Sequence, residues 1–234
     1  MKISVIIPTL NEEACLPSLL SALGGDEFVA EVIICDGGSV DATRALARDA
    51  GAHVIETDLG RGQQLCAGAA KASGDVLWFL HADTVSGAGA PKAILHSLEQ
   101  SPRSPGGNFR VVFDGDSEFS EWLTGFYAWL RSMGVYYGDS AVFVRRKAYE
   151  EMGGLLATAL MEDYEFTRRL ERAGPTLHID HPAVTTSSRR FTDRAPWRIV
   201  SQWIFIHALY YCCAPGNWLS RVYHSHQHSP ADQK

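Results

Sequence analysis

The 234-residue sequence predicts an α/β fold, a mostly parallel sheet flanked by helices. Two observations carry that prediction. Between Ile3 and Leu80, four short β-rich runs alternate with three helical patterns. The runs are apolar throughout rather than alternating, as in strands buried on both faces. Composition agrees, with 46% hydrophobic and 21% charged residues. That is ordinary globular usage and excludes disorder, collagen and coiled coil as the main architecture.

The elements follow in order. Ile3-Ser4-Val5-Ile6-Ile7-Pro8 reads as a strand closed by proline. Asn11 to Leu23 reads as a helix, with Ala14, Leu16, Leu19, Leu20 and Leu23 at helical spacing and Gly24-Gly25 as its stop. Glu31 to Asp36 is a second strand and Asp41 to Ala50 a second helix. Ala52 to Glu56, Gln63 to Ala72 and Asp75 to Leu80 complete the series as strand, helix and strand. In the second half, Ser101 to Gly107 reads as a loop and Asn108 to Phe113 as a strand. Phe119 to Met133 is an aromatic-rich helix, Ser140 to Val144 a strand and Lys147 to Met152 a short helix. Leu160 to Ala173 is a charged helix, and Pro196 to Cys213 a long apolar, aromatic one. Nothing reads as a linker between two cores, so residues 1–234 are expected to form one domain.

Charge and cysteine content narrow the function classes. The net charge of -6 and the absence of a basic run argue against nucleic acid as the main partner. Five cysteines without a CxxC pair suggest reduced thiols in a reducing cytosol. The start of the chain does not resemble a signal peptide, and no uninterrupted stretch approaches the ~20 apolar residues that span a bilayer. A cytoplasmic protein is expected, with the aromatic C-terminal helix as core, homodimer surface or peripheral membrane contact at the inner face. His224, His226 and His228 lie in a polar tail and read as incidental.

Ligands of open α/β sheets bind beyond the carboxyl ends of the strands. That rule selects Pro8 to Glu12, Asp36 to Asp41, Thr57 to Gly62 and His81 to Thr84. Asp36, at a strand end before Gly37-Gly38, suits a base N–H or ribose hydroxyl, whereas Asp41 reads as a helix cap. Asp83 suits a divalent cation that also grips a diphosphate, because Mg²⁺ takes one or two carboxylates and completes its shell with phosphate and water. His81 is either a second ligand or a structural histidine. Gly60-Arg61-Gly62 fails the dinucleotide pattern, since Leu65 stands where the third glycine belongs. It fits a phosphate site better, with Arg61 beside a helix N-terminus. Glu162-Asp163 opens a helix, where acids either complement the dipole or supply a general base. Arg189 and Arg190 read, from spacing alone, as solvated.

Together these residues resemble the family 2 glycosyltransferases. The likeness begins at Val5 to Glu12 and continues through Asp36 to Thr43, Gly60-Arg61-Gly62 and Ala67 to Asp83. Gly138 to Arg146, Gly153-Gly154-Leu155 and Glu162-Asp163 complete it. The resemblance implies the GT-A fold, with a Rossmann-like, mostly parallel sheet and an aromatic helix on the C-terminal, acceptor side. Residues 1–100 would be the nucleotide-sugar-binding half and residues 101–234 the acceptor and catalytic half. Pro8, Thr9, Glu12, Asp36 and Ala82 would line the donor pocket, and Arg61 would approach base or phosphate. Asp83 matches the last acid of the family's DxD-type motif and would hold Mg²⁺ or Mn²⁺, with His81 in place of the first acid. Asp163, with Glu162 beside it, matches the late Glu-Asp motif, whose acid is the base of inverting members. His81-Ala82-Asp83 and Ser188-Arg189-Arg190-Phe191 also resemble a compact bacterial sub-branch associated with arsenosugar-type biosynthesis, where Arg189 and Arg190 would hold the diphosphate.

The expectation is therefore a metal-dependent, inverting, hexosyltransferase-type enzyme using a nucleotide-diphospho-sugar donor and an unidentified acceptor. The rivals are a nucleotidyltransferase on a related scaffold and a non-catalytic sugar-nucleotide-binding protein.

Overall fold

The computed structural model describes residues 1–115, 117–158, 160–188 and 196–212. The strands are β1 (Ile3–Thr9), β2 (Val29–Asp36), β3 (His53–Glu56), β4 (Val76–Phe79), β5 (Thr84–Ser86), β6 (Gly106–Phe113), β7 (Phe143–Arg145) and β8 (Leu177–Thr186). The helices are α1 (Leu16–Leu23), α2 (Thr43–Asp49), α3 (Arg61–Lys71), α4 (Ala90–Gln100), α5 (Glu118–Ser132), α6 (Arg146–Glu151), α7 (Glu162–Ala173) and α8 (Pro196–Tyr211). A 3₁₀ turn, Gly138–Ser140, precedes β7.

All eight strands share one sheet in the order β3-β2-β1-β4-β7-β6-β8-β5. The first four are parallel, as expected. β7 then runs antiparallel to both β4 and β6, β8 parallel to β6, and β5 antiparallel to β8. The chain steps outward from β1 through β2 to β3, then returns to place β4 on the other side of β1. That reversal makes β1/β4 a topological switch point, and the crevice at their carboxyl ends is where such sheets take ligands.

Both faces of the sheet are covered, which is why its central strands are apolar throughout. Ile3, Val5 and Ile7 of β1 and Val76 and Trp78 of β4 pack on one side with Leu16, Leu19, Ile94, Leu98 and Leu123. Ile6, Leu77 and Phe79 face the other side with Leu65, Ala69, Phe166 and Leu170. Trp78 is fully buried, donates its indole N–H to the Ala141 carbonyl at 3.1 Å, and meets the Phe109 ring at 5.8 Å.

Four details depart from the sequence reading. α1 begins at Leu16 rather than Asn11, because the preceding residues tie the β1 loop to the β2 loop. Asn11 and Glu12 amides donate to Ser39 Oγ (2.9 Å) and Thr43 Oγ1 (2.8 Å), and Val40 and Ala42 amides donate back to Asn11 Oδ1 and Glu13 Oε2 (both 2.9 Å). Gly106 and Gly107 belong to β6 rather than a loop. A Cβ on them would lie 2.2 Å from the Phe143 carbonyl and 2.3 Å from the Leu177 carbonyl, so their lack of side chains lets β7 and β8 close on β6. α4, β5 and β8 are additional elements, β8 being interrupted by a bulge around Pro182 that skips its register against β6. Ser140, read as strand, lies in the 3₁₀ turn. The described cysteines Cys15, Cys35, Cys66 and Cys212 form no disulfide, and Cys213 lies outside the described residues. Among the described residues, no helix is long and apolar enough to cross a membrane.

Candidate active site

The crevice floor is built by the ends of β1 and β2. Thr9 pairs in register with Asp36, and its hydroxyl donates to Asp36 Oδ2 at 3.2 Å. Asp36 is fully buried. Its Oδ1 accepts from the Gly38 amide (3.1 Å) and the Ser39 amide (2.9 Å), and its Oδ2 also accepts from the Ser39 hydroxyl. A carboxylate has about four lone-pair sites. All four are taken by Thr9 and the residues after β2. The nucleotide contact expected of Asp36 thus meets a carboxylate turned onto its own loop, which it organises. Burial pushes this carboxyl upward, but the Ser39, Gly38 and Thr9 hydrogen bonds outweigh it and hold Asp36 below the usual range.

Gln64 completes the floor and was not singled out from the sequence. Its amide N–H₂ donates to the carbonyls of Thr9 (2.9 Å) and Cys35 (2.7 Å), joining the ends of β1 and β2. The available signal was a polar residue on the buried stripe of α3, beside Leu65 and Gly68. Pro8 and Glu12 are half-buried at the same edge.

On the opposite wall, α7 opens with the two acids. Asp163 Oδ2 accepts from the Gly138 amide (3.0 Å), and its Oδ1 accepts from the Tyr164 amide (2.7 Å). Arg61 does not point at open crevice as the phosphate reading expected. Its Nη2 lies 3.1 Å from Asp163 Oδ2, and its Nε donates to Glu162 Oε1. The two acids are set apart electrostatically. Burial pushes Asp163 upward, but the Arg61 guanidinium, the Gly138 and Tyr164 amides and the charge of His81 bring it below the usual carboxylate range. Glu162, with its side chain 2% exposed, is pushed above that range by burial and by Asp163, against the pull of Arg61.

His81 comes to this wall from the end of β4. A Cβ on Gly138 would lie 3.1 Å from His81 Nε2 and 3.3 Å from Asp163 Oδ2. The imidazole and the carboxylate therefore flank the same glycine. His81 starts a turn closed by the Thr84 amide on its carbonyl at 3.1 Å. Within that turn Ala82 is buried, while His81 and Asp83 are half-exposed. β5 follows, its Thr84 hydroxyl bonding Thr186 of β8 at 2.9 Å. Arg189 and Arg190, the arginines expected at the diphosphate, lie outside the described residues. Among the described residues, no three His, Cys, Asp or Glu side chains cluster as a metal site.

Aromatic residues that the sequence reading did not place here roof the acids. The Tyr137 and Tyr164 rings stack at 5.8 Å. Tyr137 OH meets His207 Nε2 at 3.0 Å, and Tyr164 OH meets Tyr211 OH at 2.6 Å, which seats α8 over the start of α7. Burial and the Tyr211 hydroxyl push the Tyr164 phenol up to about 12.

A ligand crevice at the β1/β4 switch point, closed by an acid pair on the antiparallel side of one mixed sheet, defines an α/β protein of the GT-A type. The chain belongs to the glycosyl transferase family 2, whose sequence profile matches residues 4–192. It is 34% identical over 95 residues to glucosyl-3-phosphoglycerate synthase of Mycobacterium tuberculosis, a stretch covering 36% of this chain and 29% of that enzyme. It is 25% identical over 242 residues to the O-antigen chain rhamnosyltransferase RfbN of Salmonella typhimurium, covering 94% of this chain and 75% of the relative. The solved structure of the M. tuberculosis synthase with Mn²⁺ and uridine-diphosphate-glucose shares the fold, with a TM-score of 0.61 at 20% identity over 92% of this chain and 80% of that one.

Proposed function

We propose that this chain transfers a sugar, with inversion, from a nucleotide-diphospho-sugar to an acceptor hydroxyl. The observation that carries the reading is Asp163: an ionised carboxylate at the start of α7, facing the crevice beside His81. Asp163 takes the proton of the acceptor hydroxyl. The acceptor oxygen bonds to the anomeric carbon as that carbon's bond to the diphosphate oxygen breaks. The nucleoside diphosphate leaves with the bonding electrons, and the configuration inverts.

A divalent cation fits the turn after β4. Asp83 supplies a carboxylate and His81 an imidazole from one turn, a donor pair suited to Mn²⁺ and, through the carboxylate, to Mg²⁺. When bound there, such a cation would neutralise charge on the departing diphosphate. The Mn²⁺ bound with uridine-diphosphate-glucose in the M. tuberculosis synthase supports this assignment. Pro8, Thr9, Glu12 and Ala82 are assigned to the donor pocket, and Arg189 and Arg190 to the diphosphate. The His81-Ala82-Asp83 pattern supports, as the narrower assignment, the compact sub-branch associated with arsenosugar-type biosynthesis, with the acceptor unidentified. Two readings of the outer face of α8 compete, a homodimer surface and a peripheral membrane contact.

Thermal shift against UDP-, GDP-, ADP- and dTDP-sugars, with Mn²⁺ or with EDTA, tests donor and metal together. A ligand of the native state raises its apparent stability. One nucleotide class should raise the melting temperature with Mn²⁺ and lose that effect with EDTA. A response to nucleoside triphosphates alone would instead favour the nucleotidyltransferase. Asp163→Asn should keep the donor shift and lower the transfer rate by about 10²–10⁴-fold. Equal rates in variant and parent would remove Asp163 as the base.

A further inference from the structure

We propose that Arg61 is the positioning residue of the Asp163 carboxylate rather than a donor-phosphate ligand. The inference rests on the reading of Asp163 as base and adds the group that aims it. Arg61 leads α3, on the nucleotide side of the fold, while the acids lead α7, 101 residues later in the chain. One guanidinium spans both acids, Nε on Glu162 and Nη2 on Asp163. A planar fork reaches two carboxylates at once, which the point charge of lysine does not.

The backbone around Arg61 is shaped for this contact. A Cβ on Gly62 would lie 2.9 Å from the Thr158 carbonyl and 3.0 Å from the Leu156 carbonyl. The missing side chain therefore lets the loop before α7 lie against the start of α3, bringing the acids to the arginine. Gly60, at φ 148°, supplies the turn into the helix from the other side. The Gly-Arg-Gly sequence thus has a reason independent of phosphate binding.

The consequences for Asp163 are specific. Its Oδ2 is held between Arg61 Nη2 and the Gly138 amide, which fixes the carboxylate plane. Among the described residues, Oδ1 accepts a hydrogen bond from the Tyr164 amide alone. It keeps a lone pair for the acceptor proton. Glu162, buried against the same guanidinium, serves as the second anchor that stops Arg61 from turning away.

The test compares Arg61→Lys, Arg61→Met and Gly62→Ala with the parent. A positioning arginine predicts a kcat at least about 10-fold lower in Arg61→Lys and about 100-fold lower in Arg61→Met, with the donor KM within about 2-fold. Gly62→Ala, which keeps the guanidinium but moves its target, should fall between parent and Arg61→Met. A phosphate ligand predicts the reverse: a donor KM raised about 10-fold or more in Arg61→Met, largely restored by lysine, with kcat little changed. That outcome overturns the proposal. Hydrogen exchange supplies a readout that does not need turnover. In Arg61→Lys the Gly138 and Tyr164 amides should lose protection while core amides of β1 and β4 keep theirs, and unchanged protection at both would overturn the assignment. If no donor is turned over by the parent, the transferase reading fails, and the exchange arm still decides whether Arg61 holds the carboxylate.

Discussion

Asp36 shows what a residue type at a strand end does and does not reveal. An aspartate before two glycines at the ligand edge of a parallel sheet predicts a carboxylate near the crevice, and the carboxylate is there. Its hydrogen-bond partners are not visible in the spacing. Thr9 reaches it only because β1 and β2 pair in parallel register, and Ser39 only because the loop turns back. The arrangement makes a pH prediction. The folded-state carboxyl lies below its unfolded value, so its stabilisation is complete above the unfolded value, near 4, and is lost as pH falls through the folded one. Asp36→Asn should therefore lower unfolding stability by about 1–3 kcal/mol at pH 7, the range for losing charged hydrogen bonds. Urea midpoints should converge between variant and parent below about pH 4. A gap of constant size from pH 7 to pH 3 would contradict the depressed carboxyl. The site shows the same limit of spacing. Asp163 and Asp83 are legible as acids at element starts and ends, whereas the meeting of Arg61, His81 and Gly138 around Asp163 is a product of chain crossing, and no local pattern encodes it.

At the scale of elements, strands and helices up to β4 are legible because each is a clean run bounded by glycine or proline. α4 also carried a signal, with Ile94, Leu95 and Leu98 at helical spacing behind Gly89 and Pro91. β8 did not, because Pro182 interrupts it and the polar His178 and Asp180 break its apolar pattern. The strand survives because its bulge leaves the proline, which has no N–H, outside the ladder with β6. Gly106 and Gly107 misled for a related reason: glycine marks loops, but it also marks strands that neighbours approach closely. Gly106→Ala measures that second role. Its Cβ would press on the Phe143 carbonyl at 2.2 Å and the Val144 Cα at 2.8 Å, backbone atoms of a paired strand that cannot swing aside. We expect a loss of about 1–3 kcal/mol or more, typical of overpacking, with an unchanged m-value in urea unfolding. A variant as stable as the parent would mean that β7 and β6 separate easily, and the wall carrying Gly138 would then be softer than the packing implies.

For the whole molecule, the sequence makes the C-terminal helix visible but not its orientation. α8 is apolar nearly all round, and such a helix gives periodicity no face to choose. The fold supplies one: Ile199 and Ile206 are buried, while Trp197 is 66%, Ile204 65% and Phe205 49% exposed. The outward side joins a second aromatic surface, because Phe126 of α5 stacks on Trp203 at 6.0 Å and on Trp122 at 5.2 Å. α8 also sits over the start of α7 through Tyr137–His207 and Tyr164–Tyr211, so whatever covers its outer face lies close to the acid pair. The chain's net charge is -6 and α8 carries a single charged residue, Arg198, so attraction to anionic lipid cannot drive a membrane contact. Apolar burial must do so, at about 1.5–3 kcal/mol per large side chain inserted. The protein should therefore sediment with neutral phosphatidylcholine vesicles about as well as with anionic ones, and added salt should change little. Ile204→Ser with Phe205→Ser should reduce that partition at least 10-fold while leaving the melting temperature near the parent's, since both side chains are largely solvent-exposed. Absence of vesicle binding, together with a dimer in sedimentation velocity that the same two substitutions dissociate, would assign the face to a second copy of the chain instead.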